Sequence, residues 1–540
     1  MVRQTDLLCR TEWAGGQLLA FSGLDGPTDF ECGLVARTST DGGVDAGRNG
    51  VGVDVKWPGL CRLQFPESSG PFLVTGDTLD LNQVRGAFLD AYHLLIEGPC
   101  TVSECQREVT VIRQDKRTLV GTTGKLDAAQ IAADLDAAMA DRARWLHARE
   151  LPHGLAPTSQ RTLAKALSVM KTQVYTPEGV IQHRWTTPDR WPHRAMWLWD
   201  SVFHAMGWRH LDITLAREMI SAVLDTLRAD GFVAHMMTPS RTSAITQPPV
   251  LCLGVKLVND LAPDRDWIEE LYPKLCAYVE WDVAHRDSDG AGLVEWFIEG
   301  DVNCRSGESG MDNSPRFDAA TQQDAVDFNS FLALECETLA GFARLLGRAE
   351  EADRWTARHR TLCDLINRRL WNDKEKFYLD FDVERGTPSD VMASTGFLPL
   401  ICGAASSEQA GYLAQHLHNP DTFGTPLPVP SVARRTHAYA KDMWRGPVWV
   451  NVNWLIAYGF DRYGMNDMAD ELRYKTAREI ERTCDKYGTL FEFFDDRQQV
   501  EPPQLLRKGK CAPEISPYHQ VFHDYGWTAT LYADMMFSER

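Results

Sequence analysis

The chain carries no excess of basic residues and no long apolar run. Its formal net charge is −19, from 56 Lys and Arg against 75 Asp and Glu. Nucleic acid and anionic membrane surfaces both demand clustered Lys and Arg, so neither is expected as a partner. No window approaches the roughly 18 consecutive apolar residues of a membrane-spanning helix. The opening stretch Met1–Leu8 lacks the apolar centre of a secretion signal. The 13 cysteines are odd in number, irregularly scattered and free of any Cys-x-x-Cys pair. That usage predicts reduced, mostly buried thiols in a cytoplasmic protein. His-Glu-x-x-His, the phosphate-cradling Gly-x-x-x-x-Gly-Lys loop and the Gly-x-Ser-x-Gly elbow are also missing. Gly50-Val51-Gly52 is only a fragment of a dinucleotide loop, and His416 and His418 recruit no further ligands. No metal or cofactor is expected.

What is present is ordinary in bulk and uneven in distribution. Of the 540 residues 44% are hydrophobic and 24% charged, as in globular proteins. Residues 1–125 read as short strands, such as Gly52–Lys56 and Val109–Ile112, separated by Gly, Pro and Asp; a β-sandwich-like domain is the expectation. From Leu126 the period changes to that of amphipathic helices. Patterns at 126–151 and 157–174 are followed by others near 212–229, 264–284, 323–346, 349–371, 406–418, 444–462, 465–485 and 517–537. Helices joined by long aromatic loops across 126–540 predict a mainly α chain, with an (α/α)6 toroid of twelve helices after the β-rich region. The loops 181–205, 231–250, 293–318, 421–451 and 487–515 hold a large share of the 17 Trp and most of the unusual polar residues. Loops at one end of such a toroid converge on a mouth where ligands bind.

Five loop segments carry candidate chemistry. In Trp197-Leu198-Trp199-Asp200-Ser201, Asp200 between indoles suits sugar hydroxyls while a ring stacks on the pyranose; Asp200 or Ser201 as a helix N-cap is the plain alternative. Gln247 before Pro248-Pro249 is either a fixed reader of hydroxyls or the lead-in to a Pro-started helix. Gly307-Glu308-Ser309-Gly310-Met311-Asp312-Asn313-Ser314-Pro315-Arg316 is too polar and Gly-punctuated for core and offers Asp312 among small residues. Its alternative is an Asp-Asn turn with Arg316 as a surface pair. The run Trp444–Trp454 packs three Trp, Arg445, Asn451 and Asn453 into eleven residues, a composition that favours a sugar-binding wall over core. Phe491-Glu492-Phe493-Phe494 sets a carboxylate among aromatics, where burial raises a carboxyl pKa; a Glu facing solvent from a strand or loop is the alternative. Two carboxyl groups in contrasting surroundings are what glycoside hydrolysis requires.

Taken in order, Trp-x-Trp-Asp-Ser (197–201), Gln-Pro-Pro (247–249), Glu-Ser-Gly-Met-Asp-Asn-Ser-Pro-Arg (308–316), Trp-Arg-Gly-Pro-Val-Trp-x-Asn-x-Asn-Trp (444–454) and Phe-Glu-Phe-Phe (491–494) resemble glycoside hydrolase family 63. Its relatives include processing and bacterial α-glucosidases and the mannosylglycerate and glucosylglycerate hydrolases, and Glu-Ser-Gly-x-Asp also looks like the acid-bearing block of family 37 trehalases. The resemblance covers about residues 150–540. It implies an (α/α)6 barrel and an inverting mechanism, with Asp312 as general acid and Glu492 as general base. Asp200, Gln247, Trp444, Arg445 and Trp449 would hold the non-reducing sugar, and Trp197, Trp199, Glu308 and Asn451 are further candidate sugar contacts. Segment 497–515, with Gln498, Gln499, Lys508 and Lys510, departs from the family's pattern.

The expected activity is release of a terminal α-linked hexose, glucose first, from a small glycoside or oligosaccharide. Water must fit between acid and base, which places the two carboxyls about 6.5–9.5 Å apart. An inverting phosphorylase and a non-catalytic sugar-binding protein are the rival expectations. An epimerase of similar toroidal fold would need a His pair, and none can be placed.

Overall fold

The structure, a computed structural model, describes residues 14–40, 51–66, 72–319 and 321–538. Met1–Leu8, Cys9 and Gly50, read above, lie outside the described residues. The chain divides into two compact units. One comprises Met1–Met196, Ile480–Glu492 and Phe522–Arg540; the other comprises Trp197–Glu479 and Phe493–Val521.

The first unit opens with antiparallel strands. Strands β1 (Leu18–Ala20), β2 (Val35–Ser39), β3 (Val51–Trp57) and β4 (Cys61–Phe65) precede β5 (Leu73–Val74), β6 (Thr78–Asp80), β7 (Arg85–Asp90) and β8 (His93–Glu97). β9 (Thr101–Cys105), β10 (Val109–Gln114) and β11 (Arg117–Thr122) complete the set. They form a five-stranded sheet, order β1-β2-β3-β4-β9, and a six-stranded sheet, order β10-β11-β8-β7-β6-β5. Side chains alternate across a strand, so one strand serves two layers. Val51, Val53 and Val55 of β3 meet Leu94 and Ile96 of β8 in the core between the sheets. The intervening Leu95 points the other way, onto Ile131 and Leu135.

Leu135 opens α1 (Leu135–His147), capped by Asp134, whose side chain accepts from Ala137 N. α2 (Pro157–Thr172) follows in the same unit. It packs on the last helix of the described chain, Gly526–Ser538. Between them the buried Asp524 accepts from Lys165 Nζ at 2.9 Å and from the β1 amide of Leu18 at 2.7 Å. One carboxylate thus ties the sheet to the helices.

In the second unit, helices buried all round alternate along the chain with helices buried on one face. α3 (Leu198–Trp208) is buried at every residue. α4 (Ile213–Leu224), α6 (Arg265–Arg286) and α8 (Ala349–Leu365) are one-sided. Trp267, Ile268, Leu271, Tyr272, Leu275, Tyr278 and Val279 on α6 trace the stripe a 3.6-residue period dictates. α5 (Leu251–Leu261) and α7 (Val326–Leu346) are mostly buried, as is the 3-10 turn Ser394–Leu400. α9 (Ser407–His418) is one-sided again and α10 (Val450–Arg462) largely buried, and α11 (Asn466–Tyr487) runs into the first unit.

Capping follows the same alternation except at α8, which starts after Arg348 with no side-chain cap. Asp212, Asp264 and Ser406 cap α4, α6 and α9 with their own side chains. The buried helices α3, α5, α7 and α10 start at Trp197, Val250, Ala325 and Trp449 with no side-chain cap. Orphan amides at a buried helix start must find partners elsewhere. Gln247 supplies one to Trp199 N, Glu335 serves Cys252 N and Leu253 N, and Asp380 serves Val326 N.

Several helical expectations change: the pattern at 126–151 forms an α-helix only over Leu135–His147, and that near 517–537 only from Gly526. The pattern near 444–462 becomes a helix only from Val450, because Gly446 and Pro447 interrupt it and Trp449 is extended. Ser394–Leu400, buried at every residue, was not predicted as an element, because burial on every side erases the polar face that marks a helix in sequence. α5 is the helix that follows Pro248-Pro249, and it keeps Lys256, Asn259 and Asp260 on its more open face. Among the described residues, no helix is long and apolar enough to cross a membrane. The described cysteines are free thiols, and Cys105 and Cys511 are exposed rather than buried.

Candidate functional site

The segment Gly307–Arg316 lies in the connection from α6 to α7, and three anchors fix it. The first is Glu308, fully buried. Its carboxylate takes Arg286 Nε and Nη2 at 2.9 and 2.7 Å, Thr246 N at 3.0 Å and Phe297 N at 2.9 Å. Thr246 precedes Gln247, whose Oε1 accepts from Trp199 N at 3.1 Å. The Gln-Pro-Pro segment and the start of α3 are therefore coupled to the loop through buried bonds. Such an engaged carboxylate positions backbone.

The second anchor is Gly310. Its φ is +70°, and a Cβ there would stand 2.4 Å from the Trp199 ring. Conformation and close approach both require glycine. Gly310→Ala is expected to cost about 1–3 kcal/mol in urea unfolding. A variant as stable as the parent would show that the indole yields.

The third is Arg316. Its guanidinium forms paired bonds with Asp327 at 2.7 and 2.8 Å and with Asp380 at 2.6 and 3.0 Å. Arg316 is not the surface residue of the turn alternative: it is 1% exposed. Two carboxylates hold its pKa above the usual arginine value despite burial.

Between these anchors Asp312 is presented half-buried. Its carbonyl accepts from Arg305 N at 2.8 Å, and its carboxylate pairs with Lys508 Nζ at 2.7 Å. The Cys304 thiol close by is pushed up, first by burial and then by the Asp312 charge. Burial lowers the pKa of His235, against the raising influence of Asp312, and its Nδ1 lies 2.5 Å from Ser243 Oγ.

Asn313 ties this loop to the tryptophan segment. Its Oδ1 accepts from Trp444 N at 3.0 Å and its carbonyl accepts from Arg445 Nη1 at 3.2 Å. Arg445 also makes a paired bridge with Asp318 at 2.8 and 2.7 Å. The Trp444 and Trp449 rings stack at 3.7 Å with 2° between their planes, and Trp199 lies 6.5 Å from Trp444. Trp449 Nε1 donates to Met443 O at 3.0 Å. Asn453 is structural, holding Val429 N, Pro428 O and Thr476. Asn451, fully buried on the first turn of α10, has no partner for either amide atom among the described residues, and neither does Trp444 Nε1.

Asp200 is buried in the first turn of α3, but Trp197 occupies the N-cap position, so the capping alternative for Asp200 and Ser201 does not hold. Ser201 Oγ instead donates to Trp197 O at 2.6 Å. Glu492 belongs to the first unit and is 2% exposed, so it does not face solvent. Its amide donates to Phe522 O at 3.0 Å and its Oε2 accepts from Phe522 N at 3.4 Å. In the second unit the adjoining Phe493 ring lies 4.8 Å from Trp449. Sequence reasoning missed Arg286, Asn313 and Asp318 as positioning groups. Asn313 stood inside a quoted motif, whereas the other two carried no local signal.

The helical part has the (α/α)6 fold of the glycosidases resembled above. A solved structure of the family 63 mannosylglycerate hydrolase from Thermus thermophilus, in complex with glucose, superposes with a TM-score of 0.57 at 24% identity over 69% of this chain and 99% of its own. The neutral trehalase from Saccharomyces cerevisiae gives 0.54 at 15% identity, over 66% of this chain and 74% of its own. In sequence, a mannosylglycerate hydrolase of Thermus thermophilus is 28% identical over 380 residues, 55% of this chain and 89% of that protein. The family model for the mannosylglycerate hydrolase MGH1-like glycoside hydrolase domain matches residues 192–499, more than half of the chain, which belongs to that family. The protein is a glycoside hydrolase; of the expectations above, hydrolysis stands over phosphorolysis and simple sugar binding.

Proposed function

We propose that the enzyme is an exo-acting, inverting α-glycosidase that removes one terminal α-linked hexose from a small glycoside. Asp312 protonates the departing oxygen, and Glu492 deprotonates the water that attacks the opposite face of the sugar. Asp200, Gln247, Trp444, Arg445, Trp449 and Asn451 make up the sugar subsite, with Trp197 and Trp199 beside it. Glu308 serves by holding the loop. The names of the similar hydrolases move the first candidate sugar from glucose to mannose and the first candidate aglycone to glycerate.

The observation that carries this reading is the Asn313 tie. It makes the half-exposed Asp312 carboxylate and the tryptophan wall one rigid piece. The buried, unpartnered Asn451 amide and Trp444 N–H add support. Leaving such groups unpaired costs about 1–3 kcal/mol each, and hydroxyls of a bound sugar would recover it.

The test incubates the enzyme with α-mannosides, α-glucosides and glycosylglycerates, following the anomeric protons of released sugar by NMR. Early β-anomer from an α-linked substrate is the expected result. Early α-anomer would mean retention and overturn the mechanism.

A further inference from the structure

We propose that Lys508 is a latch on Asp312, released by an anionic group on the departing part of the substrate. This rests on the reading of Asp312 as general acid. An acid must carry its proton to donate it. An ammonium 2.7 Å away favours the ionised, inactive form.

The latch is built rather than incidental. Lys508 sits in the two-residue turn between Arg507 and Lys510, closed by Arg507 N to Lys510 O at 2.8 Å and Lys510 N to Arg507 O at 3.3 Å. Lys508 and Gly509 have φ of 57° and 76°, the signature of a type I′ turn. Asn, Asp or Gly would sit at the first position with less strain; a lysine there is held against steric preference. The turn is docked on the tryptophan segment. Gly509 N donates to Asp442 Oδ2 at 2.9 Å, Leu506 N to Lys441 O at 3.2 Å, and Met443 N to Leu506 O at 3.1 Å. Trp444 is two residues beyond Asp442. The Lys508 and Asp312 side chains are each 23% exposed, so a ligand can reach both. Lys508 also lies past residue 499, where the family match ends.

The departing oxygen is the atom that Asp312 must protonate, so an aglycone charge arrives beside this pair. A carboxylate there competes for the Lys508 ammonium. Asp312 then loses a positive neighbour and gains a negative one, and both changes favour its protonated form. Asp312 takes one proton from solvent and passes it to the glycosidic oxygen as the anomeric C–O bond breaks. Water, losing a proton to Glu492, supplies the new hydroxyl. An uncharged aglycone leaves the latch closed.

The experiment compares kcat/KM against pH for α-mannosylglycerate and its methyl ester, using the full chain and its Lys508→Gln and Lys508→Arg variants. The active form is the protonated one, so activity falls as pH rises through the acid's pKa. The Cys304 thiol and His235 also face Asp312 and are unchanged in the variants. Removing the ammonium raises the acid's pKa, and the alkaline limb for the ester should move up by about one pH unit or more. The wild-type preference for the carboxylate, expected to be about tenfold or greater, should collapse in Lys508→Gln and return in Lys508→Arg. An unmoved limb with an unchanged preference overturns the inference, as does an equal loss on both substrates, which marks a structural role only. Asp312→Asn is run alongside. If it stays active, the reading of Asp312 as acid fails; if it is inactive while Lys508→Gln matches the wild type, the latch alone fails.

Discussion

Asp312→Asn is expected to fold as the parent does and to lose about 10²–10⁴-fold in kcat on an unactivated glycoside. The substitution keeps the shape of the side chain while removing its capacity to carry the proton and its ion pair with Lys508. None of the anchors is touched, because Glu308, Gly310 and Arg316 hold the loop through other atoms, and the bond from Arg305 N goes to the Asp312 carbonyl. The loss should shrink on an aryl glycoside whose leaving group departs without protonation. Turnover on both substrate types separates the roles. Equal losses on both would assign Asp312 to binding, and undiminished turnover on the unactivated glycoside would remove it from the mechanism.

Arg316→Met is expected to lower stability by about 3–5 kcal/mol, the range for removing one partner from a buried ion pair. Methionine fills much of the space, so lost packing is a minor term. What remains is two buried carboxylates without a counter-ion. Neither is a spectator. Asp327 also accepts from Trp296 Nε1 at 2.9 Å and Phe328 N at 2.9 Å, and Asp380 takes Val326 N at 2.8 Å. The start of α7 and the Asp312 loop should loosen together, so activity falls as well. Urea unfolding gives the stability change. Adding Asp327→Asn and Asp380→Asn to Arg316→Met should recover part of it, since neutral amides need no counter-charge. Equal stability of the parent and Arg316→Met would mean that the triad carries no net charge interaction.

Much of the fold is legible in the chain because its signals are local. Alternation in Val51–Val55 marks β3, and the stripe from Trp267 to Val279 marks α6, each needing only a few consecutive residues. The buried helices were harder. Ser394–Leu400, buried at every residue, has no polar face to declare its period.

The site divides in the same way. The sequence by itself determined the glycoside hydrolase family, through five motifs in fixed order, and it singled out Asp312 and the tryptophan run as candidate chemistry. Only the tertiary structure decided what each polar residue does. Glu308 meets Thr246 across 62 positions, Arg316 meets Asp380 across 64, and Asn313 meets Trp444 across 131. Lys508 stood in a segment that departs from the family's pattern, and its partner became visible only when the turn at Arg507–Lys510 was folded against Asp442. Hydrophobic period is a property of neighbours along the chain. Charge pairing is a property of neighbours in space, and folding alone chooses those.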